Sequence, residues 1–414
     1  MAISVVTLPD GVSHVGNEMA VVIDTTLPLS TANLKVKLGL LVELVYDSGV
    51  YSAPNDIPEL WADPDVTGRC KFFIDEYLEG VFDKLLNIPA VGGTVEVMCK
   101  HMVRRYKMYA VEYGGDPQAP TDYLTTGSIV QERLAQRGGL PKQFFNVRSW
   151  FGSAGWAVGQ LGNPFLDWRG RSVRTGRAQD QWVYFNWQDP FSVLLTVTPV
   201  RHVEYMLEDG TSNAFTTTLS TMDKGEVWML PVGFAQLGLP AVEVTEGQAI
   251  LKYTVYLSQV VLGSPVLLSE VKEFVVDHQY YEWETEVQYL NGLGTFAQIL
   301  LRGRPEQVTE VDAQESGAYH EKGMASYLGE THRHGTSVRN GVNHASGLLT
   351  ARELKLMREL LASKKVMVKD SSLGWVPVEI LNRKQAQSAI ETARMVELQY
   401  APAWDGEVVD MFDN

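Results

Sequence analysis

Nine consecutive residues constrain this chain more than any others. Tyr281-Glu282-Trp283-Glu284-Thr285-Glu286-Val287-Gln288-Tyr289 alternates between apolar and polar side chains. A strand sorts such a run into two faces, because successive Cβ atoms lie on opposite sides of the pleat. Tyr281, Trp283, Val287 and Tyr289 then point one way, and the glutamates with Gln288 the other. Asn291-Gly292-Leu293-Gly294 supplies residues that tolerate positive φ, and Phe296 to Leu301 returns apolar, so the pattern predicts a β-hairpin. Weaker alternation over 252–261, 270–276, 376–380 and 396–400 extends the β reading along the chain. Helical signals are fewer. Thr350 followed by Glu353 reads as a capping box opening a helix over 351–363, with Leu354, Met357, Leu360 and Leu361 on one face. A second short helix is predicted over 128–136.

The chain also repeats itself. Gly68, Cys70, Phe72, Tyr77 and Phe82 match Gly225, Val227, Met229, Phe234 and Leu239 at one constant offset. Tyr106, Met108 and Ala110 match Tyr253, Val255 and Leu257 at a slightly shorter one. In each first set a Gly turn leads into an alternating strand and then an aromatic-rich turn, which points to two related β modules. The expected fold is therefore mainly β, with multiple β-sandwich modules of Ig or FN3-like type and one amphipathic helix in the C-terminal part. Its divisions are an N-terminal β-sandwich module over 1–118, an irregular aromatic-rich insertion or linker over 119–197, a second β-sandwich module over 198–278, and a C-terminal β domain over 279–414. The polar stretch 306–346, rich in Gly and His, reads as loop.

At 414 residues the chain exceeds one ordinary core, and about three domains are expected. Its 35 Lys and Arg against 50 Asp and Glu leave a formal charge of −15. That balance repels phosphate backbones and anionic membranes, so nucleic acid is not an expected partner. Two cysteines, Cys70 and Cys99, make no disulfide framework and suit a reducing compartment. The first residues, MAISVVTLPDGVSHVGNEM, lack a basic and an apolar region of a signal peptide, and no apolar run approaches the length of a membrane span. A protein made in the cytoplasm, without membrane insertion, is expected.

Three groups are candidate sites. Five of the ten tryptophans, Trp150, Trp156, Trp168, Trp182 and Trp187, fall within 119–197. Such rings either pack in a core or between subunits, or they form a glycan- or protein-binding surface. Arg169, Arg171, Arg174 and Arg177 form a basic run that would meet an acidic surface on a neighbouring copy or partner, or grip an anion; a solvated loop is the plain alternative. His320, His332, His334 and His344 lack the Cys or carboxylate company of a metal centre, so no metal and no cofactor is expected. Phe151-Gly152-Ser153-Ala154-Gly155 lacks nucleophile-elbow spacing, and no Walker loop or dinucleotide fingerprint occurs. No catalytic residue is assigned, although a carboxylate pair like that of a polysaccharide hydrolase has no sequence signature to find.

Several stretches together resemble virion-type proteins of phages and prophages of Bacteroidetes, of the tail or baseplate kind. They are Gly16-Asn17, the run Gly68–Leu78 ending in Phe72-Phe73-Ile74-Asp75-Glu76-Tyr77-Leu78, and Trp182-Val183-Tyr184-Phe185-Asn186-Trp187 ahead of Asp189-Pro190. Tyr289-Leu290-Asn291-Gly292-Leu293-Gly294-Thr295-Phe296 and Trp375-Val376-Pro377-Val378-Glu379-Ile380 complete the set. The resemblance implies a non-enzymatic structural component of a particle, a tail, baseplate or adaptor protein in the virion. Its partners would be copies of itself and other particle proteins. The alternative is a carbohydrate-binding or adhesin protein using the Trp-rich segment.

Overall fold

Val103–Tyr113 is hydrogen-bonded along both edges, antiparallel to Lys35–Val42 on one side and to Thr125–Gln136 on the other. The structure is a computed structural model describing residues 4–9, 12–26, 28–31, 33–44, 49–51, 60–82, 92–114, 125–139, 165–167, 169–187, 196–261, 264–317, 331–382 and 393–403. The chain is mainly β, with several sheets and three α-helices among the described residues. It divides into two compact units, Met1–Asp277 with Asn291–Thr295, and His278–Leu290 with Phe296–Asn414.

In the first unit one pairing scheme occurs twice. Around Val103–Tyr113, Leu60–Ala62 extends the sheet beyond Lys35–Val42, and Val12–His14 adds parallel to Thr125–Gln136. A separate sheet pairs Ala20–Asp24 with Arg69–Phe73, which leads into helix α1, Asp75–Phe82. Around Ile250–Val261 the same neighbours return. Val200–Leu207 and Lys272–Asp277 flank it, Ser212–Thr218 extends the sheet, and Ser172–Gly176 adds parallel to Lys272–Asp277. Trp182–Asn186 pairs Val227–Pro231, and helix α2, Leu239–Glu246, follows.

The matched residues sit on equivalent rungs. Gly68 and Gly225 both hold positive φ ahead of their strands, a conformation that costs glycine nothing. Cys70 and Phe72 lie opposite Ile23 and Val21, as Val227 and Met229 lie opposite Asn186 and Tyr184. Tyr106, Met108 and Ala110 are buried in one core, and Tyr253, Val255 and Leu257 in the other. Alternation recurs because one face of each strand fills a core while its backbone groups are taken up in the ladder.

Two sequence expectations change here. The short helix expected over 128–136 is part of the strand Thr125–Gln136. Its Gln-Glu-Arg-Leu-Ala-Gln run has good helix propensity, but the ladder beside Val103–Tyr113 overrides it. Within 119–197, read as irregular, the strands Ser172–Gly176 and Trp182–Asn186 take up places in the second scheme. Both are short, and every residue of Trp182–Asn186 is buried, so no alternation marks it.

Three segments of the first unit meet backbone to backbone. Gly16 N–H donates to the Gly138 carbonyl at 2.7 Å, and Gly139 N–H to the Gly292 carbonyl at 2.8 Å. Asn291 closes the 291–295 turn: its Oδ1 accepts from Leu293 and Thr295 N–H at 2.9 and 3.0 Å, and its amide donates to Thr295 Oγ1 at 2.7 Å. Thr295 Oγ1 in turn donates to the Leu166 carbonyl at 2.7 Å.

The second unit holds a seven-stranded sheet. Its order is Phe296–Leu301, Thr285–Leu290, Val366–Asp370, Gly374–Ile380, Ala393–Pro402, Thr331–Thr350, Pro305–Gly317. Helix α3, Ala351–Ala362, carries the expected capping box, Glu353 N–H donating to Thr350 Oγ1 at 3.3 Å and Thr350 N–H to Glu353 Oε2 at 2.7 Å. Leu354, Met357, Leu360 and Leu361 bury against the sheet. The expected hairpin forms, Val287 opposite Ile299 and Tyr289 opposite Ala297. Its first strand starts only at Thr285, however. Tyr281 and Trp283 precede it, with the Arg302 and Arg304 guanidinium groups 4.7 and 5.9 Å from their rings. The segment 306–346, expected as loop, is instead most of a long antiparallel hairpin of Pro305–Gly317 with Thr331–Thr350. Apolar residues there are too sparse and too unevenly spaced to give a hydrophobic period.

Gly138 and Gly210 separate the effects of space and of φ, which is positive at both. A Cβ at Gly138 would lie 2.1 Å from the Leu293 carbonyl carbon, whereas one at Gly210 meets nothing within 4 Å. Gly210→Ala should cost about 1 kcal/mol, and Gly138→Ala at least about 3 kcal/mol because strain and overpacking add. Urea unfolding of the two variants measures the difference.

Candidate interaction surface

The described rings of the Trp-rich segment are core residues. Trp182 and Trp187 are each 1% exposed, and Trp187 packs with Phe165, Phe185 and Val197 in the second core. Trp150, Trp156 and Trp168 lie outside the described residues. Large aromatics on a fully buried strand contribute area to the core rather than to a surface.

The basic run is largely occupied within its own module. Arg169 is buried: its Nε donates to both Asp167 carboxylate oxygens at 3.0 and 2.8 Å, and its guanidinium also reaches Gln181 and the Trp182 carbonyl. Lys272 Nζ lies 3.0 Å from the same carboxylate. Burial pushes the Asp167 carboxyl up, but Arg169 and then Lys272 outweigh it and hold it at about 2. Burial raises Glu270, against the pull of Lys272; its Oε1 accepts from Phe165 N–H at 2.9 Å. Two cations between two carboxylates make a compensated buried group. Arg174 pairs with Asp277 at 2.6 Å and Arg177 with Glu243, while Arg171 is exposed. Of the histidines, His344 is buried with Nε2 2.9 Å from the Gly303 carbonyl. His332 and His334 lie on Thr331–Thr350, and His320 is outside the described residues.

Another surface collects aromatic rings and cations. Along Val103–Tyr113 the inward residues Tyr106, Met108 and Ala110 alternate with outward Arg105, Lys107, Tyr109 and Tyr113. Lys35 lies opposite Tyr113, and Gly39 opposite Tyr109. A Cβ at Gly39 would fall 2.0 Å from Tyr109 Cζ, so the ring lies directly over the glycine. Half-exposed Trp61 packs against Tyr113 with ring centroids 4.9 Å apart, and Lys37 Nζ is 5.6 Å from its ring. Nearby, Lys107 Nζ stands 4.1 Å from the Tyr51 ring, whose hydroxyl donates to Glu132 at 2.6 Å. Glu132 also pairs Arg105 and Lys107 at 3.4 and 3.6 Å. Flat rings beside four cations fit an acidic partner.

The second module keeps the outward tyrosine and changes its setting. Tyr256 stacks on His202 at 4.6 Å and donates to Glu204 at 2.8 Å, where the first module has Tyr109 over Gly39. Sequence reasoning matched the inward residues of these strands and passed over the outward ones, although the alternation Arg105, Lys107, Tyr109 was there to be seen.

Asp167→Asn would leave Arg169 and Lys272 buried without that counter-charge. It should cost about 3–5 kcal/mol in urea unfolding, more than any exposed-pair variant such as Asp24→Asn. Buried histidines set a separate acid response. Burial lowers His14 and His101 to about 4 each from an ordinary 6.5. The unfolded chain therefore binds more protons between about pH 6.5 and 4, and stability falls as pH drops through that window. His101→Gln should flatten the urea midpoint against pH between 7 and 4; an unchanged slope would exclude His101 as a source. The chain matches no protein-family model and no curated protein.

Proposed function

We propose that this chain is a non-enzymatic structural component of a phage or phage-like particle, of the tail, baseplate or adaptor kind. It works as a homo-oligomer in contact with other particle proteins, assembles in the host cytoplasm and ends in the virion. The observation that carries the reading is the pairing scheme used twice in the first unit. We take each copy as an immunoglobulin-type sandwich. The grouping supports this: Ala20–Asp24 and Arg69–Phe73 share one sheet, while Lys35–Val42, Val103–Tyr113 and Thr125–Gln136 share the other. Tyr253, early in Ile250–Val261, donates to the Val232 carbonyl at 2.8 Å and so ties that strand to the end of Val227–Pro231. The cysteines depart from the pattern, since both are free and buried.

Tandem rigid bodies whose outward faces differ in charge suit a protein that links unlike neighbours. The first face gathers Lys35, Lys37, Arg105 and Lys107, and the second presents Glu204 and a Lys252–Glu273 pair. Exposed Trp61 beside Tyr113 also favours a second reading, an acidic-glycan site on the first face.

Light scattering on a sizing column, at low and high protein concentration, tests the first reading. A discrete oligomer or concentration-driven assembly is expected, weakened by Trp61→Ala with Lys37→Ala. A monomer at every concentration would remove the self-assembly reading. Acidic oligosaccharide binding lost on Trp61→Ala would then favour the glycan site.

A further inference from the structure

The hairpin of Pro305–Gly317 with Thr331–Thr350 leaves its sheet part-way along. Thr331–Thr350 pairs with Ala393–Pro402 only from Val342 onward, Val342 lying opposite Tyr400. From Gly341 back to Thr331 its ladder partner among the described residues is Pro305–Gly317, which is itself the edge strand of the sheet. The result is a two-stranded ribbon, about 30 Å long at the usual rise per residue. A two-stranded ribbon is at best marginally stable in water, and its open edges are templates for another strand.

Charge is divided by strand. Pro305–Gly317 carries Glu306, Glu310, Asp312 and Glu315 and no Lys, Arg or His. The stretch 331–341 carries His332, Arg333, His334 and Arg339 and no Asp or Glu. Within the ribbon the register sets Glu310 opposite Arg339 and Glu315 opposite Arg333. One open edge is therefore acidic and the other basic.

We propose that this ribbon is a self-association arm: the acidic edge of one copy pairs, strand to strand, with the basic edge of a second copy. Two acidic edges side by side would place like charges on adjacent strands, which is destabilising, so the contact is head-to-tail rather than two-fold. Copies related by rotation about an axis along the ribbon keep their strands in the same senses. The acidic strand of one then runs antiparallel to the basic strand of the next, and the acid–base order continues across copies. Such a contact builds a ring or an open filament according to the rotation between copies. This inference deepens the self-assembly reading above and rests on it.

Four proteins test it by light scattering at matched concentration and low salt. One is wild type. The second carries Glu310→Lys, Asp312→Lys and Glu315→Lys, which makes both edges basic. The third carries Arg333→Glu and Arg339→Glu, which makes both edges acidic. The fourth combines all five changes. Wild type and the fourth protein should assemble. The second and third, each alone, should need more than about tenfold higher concentration to do so. Mixed one to one, the second and third should assemble again, because each then presents the edge the other lacks.

The mixture guards against arms that have merely come apart: restored assembly needs pairing between copies. If the mixture stays monomeric, or if the second and third proteins assemble like wild type while wild type is oligomeric, the arm proposal is overturned and the self-assembly reading stands. If wild type is monomeric throughout, both fall.

Discussion

Each module of the first unit depends on one strand hydrogen-bonded along both edges, Val103–Tyr113 in one and Ile250–Val261 in the other. Such a strand has no freedom of register, since a slip by one residue would turn its core face outward. Its inward positions are held to apolar groups: Tyr106 and Tyr253, Met108 and Val255, Ala110 and Leu257. Its outward positions carry no such demand. That asymmetry explains how a duplicated scheme keeps matching residues on one face while the other moves from lysine beside aromatic rings to a Tyr256–His202–Glu204 group. Interaction chemistry can diverge there without disturbing a core.

The buried charges follow the same division. Asp167 sits just before Ser172–Gly176, the strand that runs parallel to Lys272–Asp277, and it binds Lys272 from that neighbour as well as Arg169 from its own segment. Burying these groups is costly, and the cost is offset only while all partners are in place. A parallel strand five residues long has little ladder of its own to fix it, and the ion group ties its leading end to the partner strand. Of the arginines that looked like a displayed basic run, Arg169 therefore holds the module together, while Arg174 and Arg177 pair nearer its surface and Arg171 is exposed.

What the sequence reveals and what it hides follow from one rule: pattern is visible where one face is wet and the other dry. Helix α3 was legible because a capping box and an apolar stripe coincide over Thr350–Leu361, and the hairpin at 285–301 because Val287 and Tyr289 face a core across from a Gly-rich turn. Trp182–Asn186 is dry on both faces, and 331–341 carries Val338 as its one apolar side chain, so neither alternates. Thr125–Gln136 misled by propensity, which a ladder partner distant in sequence overrules. The aromatic and basic face was hidden differently. Trp61, Lys37 and Tyr113 come from three separated strands, and only the register brings them together.

A chain of formal charge −15 would be expected to hold its copies apart. At physiological salt, however, exposed charges are screened beyond about 8 Å, so contact depends on what lies within a strand or two of the meeting surface. The 331–341 strand is free of acids, and Lys35, Lys37, Arg105 and Lys107 share a face with Glu132. The overall charge thus governs solubility and the rate of encounter. Local division of charge governs which surfaces accept one another, and in this chain that division follows individual strands.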